Sequence, residues 1–190
     1  MLADTEPLHH QAWNKTLKPY NFQFSWEDYL AQCVGIADRV LAEQLDLPGN
    51  PHELVARKQT TFREAILATP PIPPATLALI RELSTQHRLA VVSSSAITEV
   101  EPPLEIVGLR SCFEFLITCE DVSRVKPDPE PYLLAARRIG ASRPLVIEDS
   151  NSGVASAQAA GLEVVRVTGA STMAAELRAF LNSRSHERVR

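Results

Sequence analysis

No stretch of this 190-residue sequence approaches the length of a membrane span, and its first residues carry charge at Asp4 and Glu6 instead of a long apolar run. The expected location is therefore the cytosol, with no membrane partner. The chain also lacks a long basic stripe and has a formal net charge of -4, which argues against a nucleic-acid surface and for a small-molecule partner. Cysteine is scarce. Cys33, Cys112 and Cys119 stand apart, odd in number, with no C-x-x-C or Cys/His spacing suited to zinc. They read as reduced fillers of apolar sites. A monomer is the default expectation.

What is present is apolar content, 45% of residues, enough for one sizeable core or a core with a smaller appended domain. From Pro7 to about Thr69 the apolar positions recur at helix spacing, in SWEDYLAQCV, ADRVLAEQLDL and ELVARKQTTFREAIL, with no strand pattern between them. The prolines of TPPIPPATLALI end this helical module near Pro70 and suit the first turn of the next helix. Beyond it, short apolar runs (RLAVVSS, FEFLIT, PLVIED, EVVRV) alternate with helical segments, from PATLALIRELSTQ to MAAELRAFLN. Such alternation predicts an α/β fold with a Rossmann-like parallel sheet covered on both faces. Two prolines in TEVEPPLEIVGL are expected to interrupt or shift their helix, and the SRSHERVR end is expected to fray.

Ligands of such sheets gather at the carboxyl ends of the strands. The residues there are Ser93, Ser94 and Ser95, then Glu120 and Asp121, then Glu148, Asp149 and Ser150, with Lys126 in RVKPDPEPY after the second group. An isolated serine favours a helix cap; three at the end of a buried-type strand equally suit a phosphate held by hydroxyls and N–H groups. Lys126, stiffened by the following proline, reads either as a solvated lysine or as a fixed positive charge against an anion. Adjacent carboxylates such as Glu148 and Asp149 repel unless donors or a cation offset them, and hard oxygen ligands suit Mg2+; capping of the next helix is the other reading.

The order VVSSS, VKPDPEPYLLAA, VIEDSNSGVASAQAAGL resembles the haloacid dehalogenase superfamily of phosphotransferases, in the branch of beta-phosphoglucomutase and related sugar-phosphate phosphatases. The opening DTEPLH resembles the end of that family's first motif, D-x-D-G-V-L-x-D-T-E-P-L-H, and the helical module resembles its α-helical cap. The resemblance implies a core of residues 1–7 and 70–185, a cap of residues 8–69 and a frayed tail of residues 186–190. It implies that Ser93 holds the transferring phosphoryl group with Ser94 N–H nearby, that Lys126 neutralises charge on it, and that Asp149 binds Mg2+ with Glu148 binding or orienting it. His9 would couple cap closure to the acid–base group, and Arg39, Arg57 and Lys58 of the cap would meet the substrate's distal groups.

One departure matters. In the family the two aspartates of D-x-D-G are the nucleophile and the general acid–base, and neither is in this sequence, because Met1 aligns with the valine that follows them. Asp4 is the family's third aspartate and cannot replace them. The absent strand is the middle one of the family's sheet, so a gap of about 10 Å, two spacings of roughly 4.8 Å, is expected between the strands ending in Ser93 and Glu148. A valine codon read as an initiator would explain such a start, and the expected native chain is longer by one strand and active. The expected activity is Mg2+-dependent phosphoryl transfer from a small phosphorylated metabolite, a sugar phosphate first. The alternatives are an inactive remnant that binds phosphate or metal, and a beta-phosphoglucomutase-type isomerase. A dehalogenase is disfavoured, because those relatives work without a metal and have less need of Glu148 and Asp149.

Overall fold

The structure, a computed structural model, describes residues 2–34, 36, 38–141 and 143–187, with side chains through residue 184. It divides into two compact units, Thr5–Pro71 and, separately, Met1–Asp4 with Ile72–Arg190.

The first unit is helical: α1 (Glu6–Leu17), α2 (Trp26–Gln32), α3 (Asp38–Gln44) and α4 (Pro51–Ala68). Local chemistry sets the starts. Ser25 accepts from Asp28 N–H ahead of α2, and Asn50 accepts from His52 N–H with Pro51 in the first turn of α4. Trp13 and Leu17 of α1 pack with Phe24, Tyr29, Leu41 and Leu54 in the main cluster of this unit. Leu17 is fully buried, a burial that contributes roughly 1.5–3 kcal/mol.

The second unit alternates helix and strand: α5 (Pro74–Ser84), β1 (Ala90–Val92), α6 (Ile97–Ile106), β2 (Phe115–Ile117), α7 (Glu130–Ile139), β3 (Leu145–Glu148), α8 (Asn151–Ala159), β4 (Glu163–Arg166) and α9 (Met173–Glu187). It is the α/β class expected. Its strands pair in parallel, β1 with β2 in the register Ala90 to Phe115, and β3 with β4 in the register Leu145 to Glu163. Side chains alternate between faces. Val91, Leu145 and Ile147 pack on one cluster with Leu79, Leu104, Leu109 and Leu177, whereas Val92 and Val146 pack with Tyr132 and Ala157 on the other.

The strands form two pairs in place of one sheet. No ladder joins β1 to β3 among the described residues. Two local expectations also change. Pro102 and Pro103 do not interrupt α6; they remove the N–H donors that would reach Thr98 and Glu99, and burial of Pro103 and Leu104 holds the helix instead. The expected frayed end continues α9 through Glu187, where Arg184 pairs with Glu163 at 3.0 Å and lies over the Phe180 ring. Residues 188–190 of that tail lie outside the described residues.

Candidate active site

The second unit gathers its candidates at the carboxyl ends of β1 and β3. Ser93 N–H donates to Ile117 O at 2.8 Å, which fixes the residue at the end of the β1–β2 ladder. Its hydroxyl accepts from Ser95 N–H at 3.1 Å and donates to no group among the described residues. Ser93 does not cap α6. The cap position is Ala96, and Glu120 Oε2 accepts from the first helical N–H, that of Ile97, at 3.0 Å. Ser94 beside it is exposed. Glu120 and Asp121 both turn back to Thr118, Asp121 accepting from its N–H at 2.9 Å, so this acidic pair builds its own turn.

Lys126 reaches both strand pairs. Its ammonium donates to Val92 O, the last residue of β1, at 3.3 Å and forms a close ion pair with Glu148, the last residue of β3. Both side chains are nearly buried. The Glu148 carboxylate is fully occupied: Oε1 also accepts from Tyr132 O–H at 2.8 Å, and Oε2 accepts from Asp149 N–H at 3.0 Å, Ser150 N–H at 3.2 Å and Ser150 O–H at 3.1 Å. Burial alone would raise this carboxyl; the Lys126 charge and these donors outweigh it and bring it down to about 2. Gly153, placed inside α8 and not in a turn, gives the carboxylate its space, because a Cβ there would collide with it.

That arrangement bears on the expected metal pair. Both oxygens of Glu148 are engaged by protein donors, and no group of three or more His, Cys, Asp or Glu that could hold a metal occurs among the described residues. Asp149 is half-buried, just ahead of α8. The described residues by themselves do not make a complete Mg2+ site.

The helical unit holds the other candidates. Lys58, 1% exposed, donates to Asp38 Oδ2 at 2.7 Å and to His9 Nδ1 at 2.8 Å, and His9 stacks on Phe62 with ring centroids 3.9 Å apart. Burial, then the Lys58 charge, lower His9 to about 4 against an opposing pull from Asp38. His9 is thus neutral, with its Nδ1 accepting. Its folded pKa lies below the ordinary 6.5, so its stabilising contribution is present above about pH 6.5 and is lost as pH falls toward 4. NMR titration is expected to show His9 free of protonation at pH 6, where exposed histidines already titrate; a His9 midpoint near 6.5 counts against this buried pair. Arg39 pairs with Glu43 on the surface at 2.8 Å, and Arg57 donates to Tyr20 O–H at 2.8 Å.

Sequence reasoning left Tyr132, Ser150, Gly153 and Asp38 without roles. Tyr132 ends the quoted RVKPDPEPY run, and its position one turn into α7 was the available signal. Asp38 gave none, because only the fold brings it to Lys58.

These features define a class, a parallel α/β unit carrying charged and hydroxyl groups at its strand ends, with a separate all-helical unit inserted near the start of the chain. Residues 1–167 match the family model described as haloacid dehalogenase-like hydrolase, and the chain belongs to that family of hydrolases. It is 30% identical over 174 residues to fructose-1-phosphate phosphatase YqaB of Escherichia coli (strain K12), over 87% of this chain and 90% of the relative. It is 30% identical over 173 residues to a phosphorylated carbohydrates phosphatase of Thermotoga maritima, over 86% of this chain and 78% of the relative. Among solved structures, CbbY from Rhodobacter sphaeroides in complex with phosphate superposes with a TM-score of 0.75 at 26% identity, covering 89% of this chain and 82% of that one. No helix among the described residues is long and apolar enough to cross a membrane.

Proposed function

We propose that this protein serves a phosphatase reaction on small sugar phosphates, with the phosphoryl group bound at the carboxyl ends of β1 and β3. The observation that carries the proposal is the buried Lys126 ammonium, held between Val92 O and Glu148 with the Ser93 hydroxyl at the end of the same strand. A fixed cation and a free hydroxyl donor stabilise a phosphoryl group whose charge is spread over three oxygens. The relatives named for fructose 1-phosphate and phosphorylated carbohydrates support the substrate class.

In this reading Ser93 donates its hydroxyl to a phosphoryl oxygen, Ser94 presents its N–H, and Lys126 offsets negative charge while Glu148 holds the lysine in place. Asp149 would contribute one ligand to Mg2+, which would offset charge between phosphate and carboxylates. The described residues assigned to the site bind and position the phosphoryl group; none of them is assigned as the nucleophile. His9, neutral, lies beside the buried Lys58–Asp38 ion pair within the helical unit, where Arg39 and Arg57 are exposed cations. A second reading is a chain that binds phosphate without turnover, favoured by two strand pairs that no ladder joins among the described residues.

The test is phosphate release from a panel of sugar phosphates with Mg2+, measured on this chain and on one carrying an apolar strand ending in D-x-D-G ahead of Leu2. Turnover only in the extended chain is expected. Turnover in the 190-residue chain removes the upstream aspartate from the mechanism, and phosphate binding without turnover in both selects the second reading.

A further inference from the structure

We propose that Tyr132 is a positioning residue of the phosphoryl site: its phenol O–H holds the Glu148 carboxylate in the orientation that leaves one N–H of the Lys126 ammonium for a bound phosphate. The inference rests on the phosphatase reading just given and adds a residue to the same site.

The lysine ammonium carries three N–H donors. Val92 O accepts one at 3.3 Å and Glu148 Oε1 accepts a second, and no third acceptor is in reach among the described residues. Because the donors are disposed tetrahedrally, two fixed acceptors set the direction of the third N–H. Val92 O is fixed by its strand, at the end of the β1–β2 ladder. Glu148 Oε1 is fixed only if the carboxylate cannot turn about its last bond. Its partner Oε2 is held from one side, by Asp149 N–H, Ser150 N–H and Ser150 O–H, all in the chain that leads into α8. Among the described residues Oε1 is held, apart from the lysine, by the Tyr132 O–H alone, at 2.8 Å. A lysine on a flexible four-carbon stem cannot serve as its own reference.

Tyr132 suits that task. It is 5% exposed, packs with Val146 and Ala157, and places its ring 5.6 Å from the ammonium. Its helix also anchors the loop that carries the lysine. Glu130, at the start of α7, accepts from Ser123 N–H at 2.9 Å and Arg124 N–H at 3.0 Å, and Asp128 O accepts from the fully buried Ser156 hydroxyl of α8. One end of α7 thus sets the lysine's backbone through Glu130 and its ammonium through Tyr132.

The test uses Tyr132→Phe, which keeps the ring and its packing and removes only the hydroxyl. Its control is Val146→Ala, which loosens the same apolar cluster and leaves the hydroxyl in place. Calorimetry reads the affinity of the 190-residue chain for inorganic phosphate. NMR of isotope-labelled lysine reads the Lys126 ammonium, which is seen only where its protons exchange slowly and is identified by its loss in Lys126→Met. Tyr132→Phe is expected to weaken phosphate binding about tenfold and to broaden the Lys126 signal away, the cost of one hydrogen bond to a charged group. Val146→Ala is expected to leave both unchanged.

Unchanged affinity and an unchanged signal in Tyr132→Phe overturn the positioning role. An equal loss of affinity in Val146→Ala does the same, because the hydroxyl would then be one more structural contact. A parent chain without the Lys126 signal overturns the held geometry, and a fall in affinity with the signal kept removes the route through the ammonium. If the parent chain binds no phosphate, the phosphatase reading falls. A signal lost in Tyr132→Phe alone then still upholds the hold of Tyr132 on Lys126, and a signal kept overturns that as well.

Discussion

Lys126→Met is expected to destabilise the protein at pH 7 by about 3–5 kcal/mol, the range for removing one partner of a buried ion pair. The size follows from what remains. Glu148 keeps its burial and its donors from Tyr132 and Ser150 but loses the cation paired with it, and an uncompensated buried charge costs far more than the pair contributes. The acid dependence gives the sign. In the parent the carboxyl sits near 2, below its ordinary 4.5, so its stabilising contribution is complete above about pH 4.5 and is lost as pH falls toward 2. Without Lys126 burial raises the carboxyl, and the gap between parent and variant shrinks as the acid range is entered. Urea melts at pH 7 and pH 4 measure both. Glu148→Gln added to Lys126→Met is expected to recover most of the loss; a double variant as unstable as the single one would place the cost outside this pair.

Gly153→Ala reverses an ordinary rule. Alanine inside a helix is more favourable than glycine by up to about 1 kcal/mol, yet here a loss of about 1–3 kcal/mol is expected, as for an overpacked core. The cause is specific: the new methyl would occupy the place of the Glu148 carboxylate, which lies against the α8 backbone. Moving the carboxylate also loosens the hold on Lys126. The same substitution in a Glu148→Ala background should therefore be stabilising. Thermal melts of the four chains form the cycle that isolates this coupling, and a Gly153→Ala loss that persists without the Glu148 side chain would assign it to another contact.

Much of the site was legible because it lies just after apolar runs. Ser93 and Asp149 directly follow β1 and β3, Glu148 ends β3, and the strands fall where the apolar runs do; Lys126 lies farther along, between β2 and α7. The helix through Pro102 and Pro103 was misread for a physical reason, since burial of Pro103 and Leu104 outweighs two missing ladder bonds and no local rule registers burial. The requirement for Gly153 comes from a side chain five residues earlier that folds over it. Lys58 looked like a surface cation available to substrate; with Asp38 and His9 around it, it is the most buried charge of the helical unit.

The sequence by itself determined the α/β alternation, the helical segment before Pro70, the family and the chemical types at the strand ends, because each depends on periodicity, proline or motif spacing along the chain. Only the tertiary structure decided that Lys126 joins β1 to Glu148, that Tyr132 and Ser150 complete the carboxylate's partners, and that β1 pairs with β2 and β3 with β4. Those are matters of burial and of hydrogen bonds between residues distant in sequence, and they exist only once the strands are laid side by side.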